Sequence, residues 1–151
     1  MPETYSPHID MSELTETRRQ ANAARGELLQ LIADETLTPW EAVIAAATSG
    51  DRHLMRLQLT QLITAHPGFG EARASQVVEQ VTNILETTPA HSPTGRITLA
   101  FILDQQAQGK RLLAVLDAFI SHGLIHDGDE LAVWAGFPFT PPPSFAPKEG
   151  R

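Results

Sequence analysis

The sequence predicts a mainly α-helical protein, and three observations carry that prediction. Apolar residues recur at three- and four-residue spacing through most of the chain, which places them on one face of successive helices. Helix-start signals stand at Asp10 and Ser12 and at Thr38-Pro39-Trp40-Glu41, and glycines that stop helices stand at Gly50 and Gly123. Only Leu124 to Trp134 carries an Asp-Gly pair between short apolar runs, the local mark of a β-hairpin. The 151 residues suit one domain of ordinary size, or one small domain with an appendage.

Residues 1–10 hold two prolines and little periodicity and read as a flexible arm. Asp10 or Ser12 can cap a helix from about Met11 to Asp34, with Ala21, Ala24, Leu28, Leu31 and Ile32 on its apolar stripe. Thr38 can cap the next helix, Pro39 is tolerated at its first position, and Glu41 can reach back to complete a capping box. That helix ends at about Ser49 with Gly50 behind it, and Asp51 opens a short helical turn through Arg56. Trp40 reads as a core anchor.

The chemistry centres on His66-Pro67-Gly68-Phe69-Gly70-Glu71-Ala72-Arg73-Ala74. Leu57, Leu59, Leu62 and Ile63 precede it; Ala74, Val77, Val78, Val81, Ile84 and Leu85 follow at helical spacing. Pro67 stops the first helix, and Gly68 and Gly70 are expected at positive φ in a turn this short. The second helix then starts at Glu71, whose acid faces the positive end of the helix dipole. The first N–H groups of a helix lack partners within it, so a glycine rim leaves them open to a phosphate. This is the pattern of a helix-hairpin-helix, which grips a nucleic-acid backbone without reading bases. Arg73 is placed to add a contact. The competing reading is a plain αα-corner whose glycines serve only the turn, with His66 a helix-terminal residue rather than a neighbour of the phosphate.

Beyond about residue 86 the composition changes. Residues 87–93 read as a linker. Thr94 can cap a helix containing Ile97, Phe101 and Ile102, and a further helix holds Leu112, Val115, Leu116, Phe119 and Ile120. With the hairpin over Leu124–Trp134, residues 94–136 could form a reduced winged-helix-like unit. Five prolines over 137–151 mark a disordered or extended tail. No internal repeat is visible.

A net charge of −7 argues against non-specific nucleic-acid binding, but the charge is uneven. Residues 1–13 carry three acids and no lysine or arginine, whereas 14–81 carry six arginines against eight acids. A nucleic-acid reading therefore needs its arginines gathered on one face. Arg18, Arg19 and Arg25 are candidates for a basic clamp, against the plainer reading of a solvated helix face. The absence of cysteine excludes disulfides and thiolate chemistry. There is no basic-then-apolar N-terminal pattern and no apolar run near the ~20 residues needed to cross a bilayer, so a cytoplasmic protein is expected. Neither a phosphate-binding loop with a lysine nor a nucleophile elbow is present, so no enzyme is expected. His122 and His126 with Asp127 and Asp129 are the best metal-ligand cluster, weakened by Gly123 between the histidines.

Residues 25–81 resemble the actinobacterial integration host factors, with similarity extending over about residues 18–82. The resemblance rests on Arg25-Gly26-Glu27-Leu28, a short helix over Thr38 to Thr48, and an ungapped run of Asp51, Leu54, Arg56, Leu57, Gln58, Leu59, Leu62, Ile63, Pro67, Gly68, Phe69 and Gly70. Arg73 and Ala74 occupy the family's basic residue and following alanine. The resemblance implies a helix-two-turn-helix core, double-stranded DNA binding of weak sequence preference, DNA bending or compaction in the nucleoid and support of phage-type recombination. It also implies no enzymatic activity and no cofactor. On it, Gly68, Gly70 and the amide of Glu71 hold a phosphate with Arg73 and Arg56 beside it, while Arg18, Arg19 and Arg25 reach flanking phosphates.

Four departures bear on function. A basic residue of the family's signature is Gln58, the usual lysine after the hairpin is Glu71, Leu29, Leu31 and Ala33 replace a lysine-rich helix, and the arginine-rich segment after the hairpin is missing. Each lost phosphate contact weakens binding and its salt dependence. They favour an alternative: a protein-interaction module, of phage or mobile-element origin, that kept the fold and uses its C-terminal region to dock a partner or a second copy.

Overall fold

Among the described residues the named elements follow in the order α1 (Met11–Ala33), α2 (Pro39–Ser49), the 3₁₀ turn η1 (Arg52–Arg56), α3 (Leu59–Ala65), α4 (Glu71–Ile84), α5 (Leu99–Ile102) and α6 (Lys110–Ser121). They come from a computed structural model that describes residues 11–85, 97–104, 107, 109–126, 130–138 and 140. The expected arm over 1–10, the linker over 87–93 and the tail from 141 lie outside the described residues. Among those described, no helix is long and apolar enough to cross a membrane.

Local chemistry sets most helix ends. At α2 the Thr38 hydroxyl accepts from the Glu41 amide at 3.1 Å while the Glu41 carboxylate accepts from the Thr38 amide at 2.9 Å, a complete capping box. Gly50 ends the helix at φ 75°. The Asp51 carboxylate caps η1 through the His53 amide at 2.9 Å. α1 and α6 both stop in a Schellman motif, with the amide after the left-handed residue reaching back across the last turn. In α6 that residue is Gly123, and Leu124 N–H meets the Phe119 carbonyl at 2.9 Å. In α1 it is Glu35 at φ 65°, a conformation L side chains rarely take, and Thr36 N–H meets the Leu31 carbonyl at 2.9 Å.

The helices enclose one core. Trp40, Leu57, Leu59, Leu62, Ile63, Val77, Val81, Leu99, Ile102, Leu112 and Phe119 are buried in a single cluster drawn from both sides of the expected linker. The boundary at 87–93 therefore does not divide the apolar packing. The two halves are also tied by backbone. Leu59 N–H donates to the Ile97 carbonyl at 2.8 Å, and Leu99 N–H to the Leu57 carbonyl at 2.9 Å, around an isolated antiparallel bridge between Gln58 and Thr98. The starts of α3 and α5 are thus paired reciprocally, each helix entered through the same apolar–polar–Leu step, Leu57-Gln58-Leu59 and Ile97-Thr98-Leu99. This internal correspondence is not evident in the sequence because only three residues of it repeat.

Three expectations need amending. The cap of α5 is Thr98, whose hydroxyl accepts from the Phe101 amide at 3.3 Å, and not Thr94. Ile97 is drawn into the pairing with Leu57, which fixes where the helix can begin. Around the expected hairpin, residues 124–126 and 130–134 have bent and irregular backbone with no strand, and Asp127–Asp129 lie outside the described residues. Here the chain forms a strap over α2: the Trp40 indole N–H donates to the Ala132 carbonyl at 3.0 Å. Phe137 and Pro138, read as the head of the tail, are packed. Phe137 stands edge-on to Trp40 and Trp134, with ring centroids 5.9 and 5.3 Å away. Pro138 lies against Gly109, where a Cβ would strike its carbonyl and where φ is 81°.

Candidate nucleic-acid interface

α3 and α4 are joined by His66–Gly70. Gly68 takes φ 89°, as the turn requires. Gly70 does not: its φ of −92° and ψ of −176° are extended backbone, because it is the N-cap of α4 and an N-cap residue sits in the β region. Having no side chain, Gly70 cannot cap the helix. The first helical bond in α4 runs from Ala74 N–H to the Gly70 carbonyl at 3.0 Å, so the amides of Glu71, Ala72 and Arg73 stand ahead of the ladder. A Cβ placed on Gly68 or Gly70 would meet nothing within 4 Å. The rim is open.

Arg73 is held beside that rim. Its guanidinium carbon lies 3.9 Å from the Phe69 ring centroid, and its Nη2 donates a long bond of 3.5 Å to the His122 carbonyl. Such stacking contributes about 0.5–1 kcal/mol at an exposed site, enough to bias the side chain toward the hairpin while leaving other N–H groups free. Phe69 is the platform, and sequence reasoning gave it no role; its four-residue spacing from Arg73 was the available signal. His66 closes α3 with its ring 5.4 Å from Phe69, and its Nδ1 is buried without a hydrogen-bond partner among the described residues. Glu71 is exposed at the first position of α4, an acid beside the free amides. Next to it a shallow groove of about 290 Å³ between α3 and α4 is lined by Thr60, Gln61, Thr64 and Ser75.

The remaining arginines sit apart from the hairpin. Arg56 is exposed at the end of η1, at the head of α3. With seven residues at 1.5 Å each, α3 sets it about 10 Å along the helix from the turn. Arg25 is spent on the fold: its guanidinium donates to the His53 carbonyl at 3.0 Å and to Asn22 Oδ1 at 2.9 Å, bracing α1 on η1. Arg52, exposed on the same 3₁₀ turn, was missed from sequence because its neighbour Asp51 reads only as a cap. Arg18 and Arg19 are exposed on the first ten residues of α1, where all but Leu14 are exposed, and Arg19 pairs with Glu16 at 3.2 Å. Gly68, Gly70, Glu71 and Arg73 thus form one group, and Arg25, Arg52 and Arg56 gather at η1 as another.

No three His, Asp or Glu side chains come together among the described residues; Asp127 and Asp129 of the histidine cluster lie outside them. His122 instead shares its Nε2 with Gln80 Oε1 at 2.8 Å, tying α6 to α4. No protein-family model, curated protein or solved structure matches this chain.

Proposed function

We propose that this chain is an integration-host-factor-like, nucleoid-associated protein that binds double-stranded DNA through its phosphate backbone with little sequence preference. The open glycine rim carries the reading: three leading amides of α4, no capping side chain, and free space at both glycines. A phosphate seated there accepts from backbone donors at the positive end of the helix. Arg73, resting on Phe69, supplies a charged contact to the same strand. Arg56, Arg18 and Arg19 reach other phosphates, while Arg25 positions α1 rather than binding. In this reading α3 and α4 are the hairpin of a helix-two-turn-helix core.

Glu71 favours the second reading, a protein-interaction module that has lost much of its DNA surface, because it sets a negative charge against those amides. Gly70→Leu separates the two. Its φ of −92° suits any residue and its surroundings are empty, so the fold is kept while the new side chain covers the amides. Duplex affinity, measured by fluorescence anisotropy at low salt, falls about tenfold or more if one charge-assisted phosphate site is lost. Unchanged affinity in a folded variant removes the hairpin from the binding mode.

A further inference from the structure

We infer a docking groove for a basic, apolar peptide segment of a partner protein at the junction of α2 with the C-terminal strap. The groove has a volume of about 310 Å³ and is lined by Thr38, Trp40, Glu41, Leu124, Ile125, Glu130 and Leu131. That is the low end of ligand-pocket sizes, room for a cluster of side chains rather than a cofactor. Its floor is apolar, with Trp40, Leu124 and Ile125 buried in the core. Leu131 on its wall is 39% exposed and Val133, two residues along the strap, is 46% exposed, an apolar surface that the described chain leaves uncovered.

Charge decides the occupant. Glu41 and Glu130 are the only charged residues of the lining, and neither forms an ion pair among the described residues. The capping box fixes the Glu41 carboxylate at the rim through one oxygen, leaving the other available. An apolar floor between two carboxylates suits a leucine or phenylalanine flanked by lysine or arginine, and repels nucleic acid. The indole N–H is already bound to the Ala132 carbonyl, so the groove selects by shape and charge and not by a free indole donor.

The test is a titration of the full ¹⁵N-labelled chain with the peptide Lys-Leu-Lys-Phe-Leu-Lys, blocked at both ends, followed by NMR. Saturable shifts are expected at the Trp40 indole N–H and the Leu131 amide. The same peptide with glutamate for every lysine should give none. Glu41→Gln with Glu130→Gln keeps the cap, since glutamine also completes the box. Exposed charges contribute a few-fold each, so this double variant weakens binding about tenfold. Leu131→Lys, at an exposed position, abolishes it while the spectrum stays folded. The inference is overturned if no saturable shift occurs, if the double variant binds as well as the parent, if the shifts map elsewhere, or if a short DNA duplex moves these resonances instead.

Discussion

Gly70 and Glu35 show how single backbone positions decide what this molecule can do. Gly70 sits in ordinary extended backbone, so glycine is not demanded there by conformation; what it provides is an unobstructed approach to the α4 amides. Gly68, at φ 89°, is different, and any substitution there strains the turn by about 1–2 kcal/mol. Beside them Glu71 is exposed in the first turn of α4, where its charge would oppose a phosphate in the proposed binding mode. Glu71→Gln should tighten duplex binding several-fold at low salt, with a smaller gain at high salt, by anisotropy. Glu35 occupies the left-handed region with no evident function. Glu35→Gly should raise stability by about 0.5–1 kcal/mol in urea unfolding, the relief of the left-handed cost less glycine's entropy. That Gly68, Gly70 and Arg73 come together at one turn was legible from the sequence because they lie within six positions. The role of Arg25 was not, since its partner, the His53 carbonyl, lies 28 positions away.

At the scale of elements, the starts and stops that depend on neighbouring residues could be read directly. Thr38, Pro39, Glu41, Gly50 and Asp51 carry their own hydrogen-bonding logic, and α2 and η1 fall where those residues put them. Thr38→Ala should cost about 1 kcal/mol in the same unfolding assay, because it orphans the Glu41 amide and half the box. α5 was placed less well. Thr94 and Thr98 are equally good caps in isolation, and the choice is made by Ile97 and Leu99 exchanging hydrogen bonds with Leu57 and Leu59, forty residues away in sequence. The strap was misread for a similar reason. Asp127-Gly128 is a genuine hairpin signal, but the Ala132 carbonyl serves the Trp40 indole and Trp134 packs on Phe137, so the flanking residues follow those partners instead of each other.

The whole molecule is organised by one core that both halves complete. Phe119 of α6 is fully buried and edge-on to Trp40 of α2, with ring centroids 6.5 Å apart. Phe119→Ala should therefore cost about 3–5 kcal/mol and lower the stability of α2 and α6 together, in one transition seen alike by circular dichroism and tryptophan fluorescence. A split into two transitions would mean that residues 94–136 form a unit of their own. Mainly helical architecture was legible from periodicity, but this shared core was not, because a composition change at 87–93 looks the same whether the helices beyond it pack back or stand apart. The net charge of −7 belongs to this scale too. It opposes approach to DNA at long range, so the duplex binding proposed above would have to rest on local donors and a few placed arginines.

The most direct test of that account is the salt dependence of binding to a generic DNA duplex. Arg18, Arg19, Arg56 and Arg73 are the exposed arginines proposed to meet phosphates. Four such contacts at about 0.9 each predict a log–log slope of about −3 to −4 between affinity and salt concentration. A slope near that value, made shallower by one unit in Arg73→Ala, is the expected result. Absence of duplex binding even at low ionic strength would contradict the nucleic-acid reading outright.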